Sequence, residues 1–548
     1  MRLVFALAMI ASALAPPAAT DTRQPKAPQI TIDDFSKGAH GWGRSAGART
    51  RVTRVDGEPV LTLTRGHLRR SLPRDATVSF DLHLSATARA DIALGAAGGL
   101  HLHVERGRLV VGANTRVHRS AAPSGWYRVE AATGHAGAAL DGRRVKTAAN
   151  PRSAALVVSL LRGSVSVRAL IVTRADDSAG LLLQRLAWLH TRTPRGKQPI
   201  GTGLDGRLRF SRSWTRGFWP GSLWQAYDMT RSPMFKRWAI RATRDNFGAE
   251  RADTHDLGFM YGRSSAAAYD RLCVQHATRS DCKAFRRSAL TAANSLLKLA
   301  ATNSAVGTTP TSSGPTCTGC ASTNEADTII DSVMNLPLLY WASRVTGDPR
   351  YEAVASRHAH IVAEKMVRPD GSTWSSMHNR RNDGAFIRFH THQGYRDDST
   401  WARGQAWAIY GLSVAAGTLQ DSALLDTADR TAPYVMSRIR RPAVPLYDYD
   451  APVTAPHDVS AGVITAAGML RLAAACEALA AACSPTPKDA RAYARGLLTA
   501  SLARLGTRPP LGFLGHQVYG LGGRSRWDDD AELTFGIDYA LEALNGGA

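Results

Sequence analysis

The hydrophobic period of this chain changes once, near residue 178, and that change constrains the fold more than any other feature. Before it, apolar residues alternate with polar ones. Val78, Phe80, Leu82 and Leu84 are separated by Ser79, Asp81 and His83, and Leu100, Leu102 and Val104 by His101 and His103. Val165 and Val167 continue the alternation, and Ala169 to Val172 reads as a buried strand. Turns at Arg106-Gly107, Asp141-Gly142 and Arg162-Gly163 part the runs. Successive side chains of a strand point to opposite faces, so a period of two marks a half-buried strand. Residues 28–176 are therefore expected to form an antiparallel β-sandwich accessory module.

After it, Leu181 to Leu183, Leu186 and Leu189 have helical spacing. A short phrase then recurs: Asp, Ser or Pro in a turn, followed by an aromatic residue or Leu, with Ala four residues later. It stands at Phe235 and Ala239, Phe285 and Ala289, Tyr351 and Ala355, Leu424 and Ala428, and more loosely at Asp489 and Tyr493. Each copy suits a capped helix start whose next turn packs inward. Five copies over about 370 residues suggest stacked helical hairpins. Residues 178–548 are expected to form an all-α (α/α)6 barrel, with an open helical solenoid as the competing arrangement.

The chain of 548 residues is long enough for more than one core. Met1 and Arg2 lead into an apolar run from Leu3 to Leu14 and then small residues, so residues 1–20 read as a signal peptide. No later stretch reads as a membrane span, and the mature protein is expected to be secreted or extracytoplasmic, with no membrane contact beyond export. Lys plus Arg exceed Asp plus Glu by 68 to 45, a net charge of +23 that favours polyanionic partners. No zinc-finger, basic-zipper or RNA-binding motif accompanies it, so no nucleic-acid partner is expected. Six cysteines fall in local pairs: Cys273 with Cys282, Cys317 with Cys320, Cys476 with Cys483. In an exported chain these are disulfide candidates, although Cys317-x-x-Cys320 also suits a redox pair or half of a zinc site.

Aromatic-rich segments separate the helix starts: Gly217 to Gly221, Thr254 to Phe259, and His392 to Trp407. Carbohydrate sites need such a mixture, with indole faces on sugar C–H groups and carboxylates, amides and Arg on the polar groups.

In order, Gly217-Phe218-Trp219-Pro220-Gly221, Thr254-His255-Asp256-Leu257-Gly258, Ile330-Asp331-Ser332-Val333-Met334-Asn335, His392-Gln393-Gly394-Tyr395, Trp401-Ala402-Arg403-Gly404-Gln405-Ala406-Trp407 and Tyr447-Asp448-Tyr449-Asp450 resemble glycoside hydrolase family 88, the unsaturated glucuronyl hydrolases. The resemblance covers residues 180–548 and implies the same (α/α)6 barrel. Upstream, Ile32 to Phe35 with Gly41-Trp42 more weakly resembles the first strand of a jelly-roll-like sandwich, which serves either to bind glycan or as a spacer.

The resemblance implies release of a 4,5-unsaturated uronic acid from the non-reducing end of an acidic oligosaccharide by hydration of its vinyl ether. It implies Asp331 as general acid/base and Asp256 as the second essential carboxylate. It implies substrate contacts from His255, Trp219, Gln393, Trp401, Arg403 and Trp407, with Arg403 gripping the uronate carboxylate bidentately. No metal and no cofactor are expected. Without the resemblance, Asp331 equally suits a helix cap and Asp256 a turn.

Two positions depart from the family. Its Arg-Ser-Trp phrase is replaced around Thr311 to Cys317 by a stretch without Trp, and its His after Gly-Ser-Thr-Tyr is replaced by Ser375, with His378 the nearest His. The rival readings are an unsaturated rhamnogalacturonyl hydrolase of family 105 type and a non-catalytic acidic-glycan-binding protein.

Overall fold

The computed structural model describes residues 30–546 apart from short internal stretches, the longest being 119–125, 146–154, 314–321 and 520–530. The expected signal peptide and Cys317 and Cys320 lie outside the described residues.

Strands fill the first part and helices the second. The strands pair antiparallel throughout. The long strand Glu58–Ser71 takes part in both halves of the sheet. Its first half pairs with Arg49–Val55 and Val165–Arg174, and its second with Ala155–Arg162 and Trp42–Arg44. The alternating residues Val78, Phe80 and Leu82 from one half share a single core with Ile92, Leu102 and Val158 from the other.

The helical part contains α1 (Ser178–Arg192), α2 (Phe218–Thr230), α3 (Pro233–Asp245), α4 (Ala267–Leu272), α5 (Ser280–Ala301), α6 (Leu336–Thr346), α7 (Pro349–Met366), α8 (Ala402–Leu419), α9 (Ser422–Arg438), α10 (Val459–Ala478), α11 (Pro487–Leu502) and α12 (Thr534–Leu544). A π-helical segment, Gly258–Ala266, runs into α4, and a 3-10 segment, Ile330–Asn335, runs into α6. The five recurring phrases start α3, α5, α7, α9 and α11. Ser232, Asp348, Asp421 and Thr486 accept hydrogen bonds from backbone amides of the first turn, the physical role of an N-cap. The packing residues Phe235, Phe285, Tyr351, Leu424 and Tyr493 are all buried.

These five helices and α1 form an outer layer. The inner elements α2, the π segment with α4, the 3-10 segment with α6, α8, α10 and α12 touch in succession, and α12 packs back on α2. Inner helices are apolar on every side because every side is covered. By length and composition α10 is apolar enough to cross a membrane, against the sequence expectation for this region. It is a mostly buried inner helix, with α8, α11 and α12 packed around it.

The two parts meet across α1. Gln184 donates to the carbonyl and hydroxyl of Thr77, and Thr191 donates to Asp81 at 2.9 Å. Asp81, fully buried, also accepts from Arg128 at 2.9 Å and Arg168 at 3.1 Å. Arg237 of α3 reaches back to Glu58 and Asp34. Disulfides join Cys273 to Cys282 and Cys476 to Cys483.

Candidate active site

The N-terminal ends of the inner helical elements converge on one side of the ring. There the backbone leaves amides free of helical partners and carries a partial positive charge. Leu257 precedes the π segment, Asp331 is the second residue of the 3-10 segment, Trp401 caps α8 and Asp458 caps α10. Between them lies a cavity of about 270 Å³, near the small end of ligand sites of about 300–1,000 Å³.

His255 is the centre of the cavity's chemistry. Its Nε2 lies 3.1 Å from Asp331 Oδ1 and 3.3 Å from Asp256 Oδ1, so one imidazole edge serves two carboxylates. Burial works against its charge, but Asp256 and Asp331 raise its pKa to about 9. Its Nδ1 has no hydrogen bond among the described residues, which also opposes the doubly protonated ring. The two nearby carboxylates outweigh that cost. Asp256 is raised by burial, His255 pulling the other way. Thr254 donates to its second oxygen at 2.6 Å. Asp331 meets His255 through Oδ1, and among the described residues no hydrogen bond reaches Oδ2, which is left for a ligand.

A second buried histidine supports this arrangement from behind. His358 of α7 accepts from the Thr309 amide at 3.0 Å and meets the Ser332 hydroxyl at 3.0 Å. Burial lowers its pKa to about 3, so it is a neutral strut beside Asp331.

Among the expected sugar contacts, His255, Gln393, Trp401, Arg403 and Trp407 line the cavity together with both aspartates. Trp219 does not. It belongs to the hydrophobic core, because the first nine residues of α2 are all buried inside the ring. Trp214, on the 3-10 turn before α2, stands at the cavity wall instead, with its indole N–H donating to Tyr519 at 3.0 Å.

Arg403 also departs from expectation. Its Nη1 donates to Asp458 at 2.8 Å and to the Val518 carbonyl, and its Nη2 to Gln393 Oε1 at 2.6 Å and to the Tyr519 carbonyl at 2.9 Å. All four Nη hydrogens are committed, so the guanidinium cannot grip a uronate bidentately as it stands. It turns the Gln393 oxygen toward itself and leaves the amide N–H groups for a ligand.

Sequence reading also missed Asp327, His378 and His390. Asp327 lines the cavity beside His392 and is fully buried. His390 lies 3.2 Å from Oδ1 and His392 2.6 Å from Oδ2. Burial opposes its charge, yet these contacts hold its carboxyl well below the usual carboxylate range. Among the described residues, Asp327, His390 and His392 are a group whose ligand atoms lie close enough together to hold a metal ion. The available signal was His390-x-His392; nothing in the sequence showed that Asp327 and His378 lie beside it. Ser375, at the family's His position, is buried with an unpartnered hydroxyl. The Thr311 to Cys317 stretch reaches the cavity through Thr311 and Ser312, and residues 314–317 lie outside the described residues.

No family model matches this chain. The unsaturated glucuronyl hydrolase of Bacillus sp. (strain GL1) is 35% identical over 274 residues, covering 48% of this chain and 68% of that protein. The chain belongs to glycoside hydrolase family 88. Another member, the unsaturated chondroitin disaccharide hydrolase of Streptococcus pneumoniae, is 30% identical over 43% of this chain and 57% of its own length. A solved family 88 structure, an unsaturated glucuronyl hydrolase specific for heparin, superposes with a TM-score of 0.59 at 26% identity, covering 68% of this chain and 96% of that one. The structural match spans 68% of this chain, so about a third of the chain lies outside the shared fold.

Proposed function

We propose that this chain is an unsaturated glucuronyl hydrolase, built on an (α/α)6 barrel, that removes a 4,5-unsaturated uronic acid from lyase-generated acidic oligosaccharides. Asp331 gives its proton to C4 of the C4=C5 enol ether, and positive charge develops at C5 and the ring oxygen. Asp331, now a carboxylate, takes a proton from water as the water oxygen bonds to C5. The resulting C5 hemiketal opens to a ketone, which frees the ring oxygen as a hydroxyl on C1; this C1 hemiacetal collapses to an aldehyde as the bond from C1 to the glycosidic oxygen breaks, and the remaining sugar leaves with that oxygen and the hydroxyl proton. Asp256 steadies the cation electrostatically, and His255 holds the two carboxylates in one plane of action.

The single observation that carries this reading is the position of His255 Nε2 between Asp256 and Asp331 inside one cavity. A cavity of about 270 Å³ lined by Trp214, Trp401 and Trp407 also suits one terminal sugar better than the middle of a chain. Gln393 offers amide donors to the uronate or its hydroxyls. Arg403 is a positioning residue for Gln393. The net charge of +23 suits acidic glycans, and two disulfides suit an exported protein.

The test is the loss of the enol-ether ultraviolet band when the chain meets unsaturated disaccharides from chondroitin, heparin and pectin digests. Wild type is expected to bleach a uronyl-terminated disaccharide. Asp331→Asn is expected to lose at least about 100-fold in kcat with binding largely kept. Unchanged turnover in that variant rejects the role of Asp331, bleaching confined to the pectin product favours the rhamnogalacturonyl reading, and binding without bleaching favours a lectin.

A further inference from the structure

The positive charge of this chain is concentrated in its strand part. In residues 28–176 Lys and Arg outnumber Asp and Glu two to one, a larger excess than in the whole chain. Part of that excess stands on one open face. The strand Glu58–Ser71 turns Arg65, His67 and Arg69 to solvent, alternating with part-buried Gly66 and buried Leu68. The neighbouring strand Arg49–Val55 sets exposed Arg49 directly opposite Arg65, and Arg51 is exposed two residues further on. On the strand Trp42–Arg44, Gly43 stands opposite Arg69 and brings no side chain to cover it, and exposed Arg44 follows.

These arginines are not neutralised from within the fold. Among the described residues none of Arg44, Arg49, Arg51, Arg65 and Arg69 is in an ion pair. The acids nearest in sequence are taken: Asp34 and Glu58 by Arg237, and Asp33 by the Trp42 indole. Along the register that runs through His67 and Ser159, the first acid met is Asp91, two strands away.

Like charges directly opposite on neighbouring strands repel and destabilise the pairing. Core packing does not ask for Arg49 opposite Arg65, because both are exposed. Charges also guard open sheet edges, but Glu58–Ser71 has a paired strand on each side of both its halves. A polyanion laid along the strand turns this repulsion into attraction. Guanidinium groups hold oxyanions bidentately, and residues on one face of a strand repeat about every 7 Å, so the strip suits an extended chain rather than a single sugar.

We propose that Arg49, Arg65 and Arg69, flanked by Arg44, Arg51 and His67, form a docking strip for an acidic polysaccharide, the uncut polymer whose lyase products the helical ring hydrolyses. The choice of polyanion rests on the uronyl-hydrolase reading of the ring. The strip gives the strand module a glycan-binding role, one of the two that the sequence leaves open. Polymer held on the module keeps newly cut ends at high effective concentration beside the enzyme.

The test compares three forms of the full chain by calorimetry against undigested heparin and chondroitin sulfate, with dextran as the uncharged polymer and duplex DNA and phosphatidylserine vesicles as other polyanions. The forms are wild type, a strip variant (Arg49→Gln, Arg65→Gln and Arg69→Gln) and a control with equal charge loss on α5 (Lys283→Gln, Arg286→Gln and Arg287→Gln), three exposed residues outside any ion pair among the described residues. Wild type is expected to bind an acidic glycan and not dextran, more weakly as salt rises. The strip variant is expected to bind about 10-fold more weakly, and the control to keep wild-type affinity. The Tm of the strip variant is expected to hold or rise, because the repulsion is relieved. Should the triple variant not fold, Arg65→Gln alone carries the comparison, with a loss of about 3-fold. No glycan binding by wild type overturns the proposal, as do equal losses in the strip and control variants, or tighter binding of DNA or vesicles than of either glycan. Bleaching of the unsaturated disaccharide is expected to be unchanged in the strip variant, so the strip and the hydrolase reading fail in different assays.

Discussion

At the scale of single residues, the two supporting histidines have opposite electrostatics. His255 has its pKa raised from 6.5 to about 9, so its charged form stabilises the fold fully below pH 6.5, and that contribution fades as pH rises toward 9. His358 has its pKa lowered from 6.5 to about 3, so its neutral form favours the fold above pH 6.5, and that contribution is lost as pH falls toward 3. Denaturant unfolding across pH is expected to show both. The stability gap between wild type and His255→Gln should narrow between pH 6.5 and 9, by up to about 3 kcal/mol. His358→Gln should flatten the acid side of the curve between pH 6.5 and 3. Asp256, Asp331 and His255 were legible in the sequence because adjacent residues and short motifs carry them. Trp219 misled for a reason of the same kind: it sits in a sugar-site phrase, but α2 runs inside the ring and turns it into core. The guanidinium of Arg403 misled because its partners Asp458, Val518 and Tyr519 lie 55 to 116 residues away.

At the scale of elements, outer and inner helices differed in legibility. An outer helix is half exposed, so its cap and inward-facing stripe are written locally, and all five recurring phrases fell on outer helices. Inner helices such as α8 and α10 are buried on all sides and leave no period to read. The three-stranded sheet was also illegible, since its strands come from residues 325–390 and meet only in the fold. The π segment and the 3-10 segment carry the two sides of the site and touch at Gly258. A Cβ there would lie 2.4 Å from the Met334 carbonyl and 2.6 Å from Asn335 Cα, both backbone atoms. Gly258→Ala is therefore expected to push His255 and Asp256 away from Asp331. Displacements of about 1 Å cost roughly 100-fold in rate, so kcat should fall far more than KM rises, measurable by steady-state kinetics at a temperature where the variant stays folded.

At the scale of the whole molecule, the strand module and the helical ring are joined through buried polar groups rather than a mobile tether. Asp81 is the node, shared by Arg128, Arg168 and Thr191. Asp81→Asn takes away the carboxylate that two buried guanidiniums share and is expected to cost about 3–5 kcal/mol. Calorimetry should show an earlier transition for the strands that separates from that of the ring; a single unshifted transition would count against this coupling. The closure of the ring through α12 has a further consequence. Arg185 of α1 bonds Glu532, just ahead of α12, across 347 residues, so the earliest and latest helical elements of the sequence are physical neighbours. A ribosome delivers them in order, and nothing made in between can substitute for the last. The strand module is complete long before then, while the growing helical arc keeps two raw apolar flanks, a hazard for aggregation during synthesis. For this chain, maturation ends with a keystone rather than with gradual thickening, and a nascent chain halted short of residue 532 is expected to aggregate unless chaperones hold it.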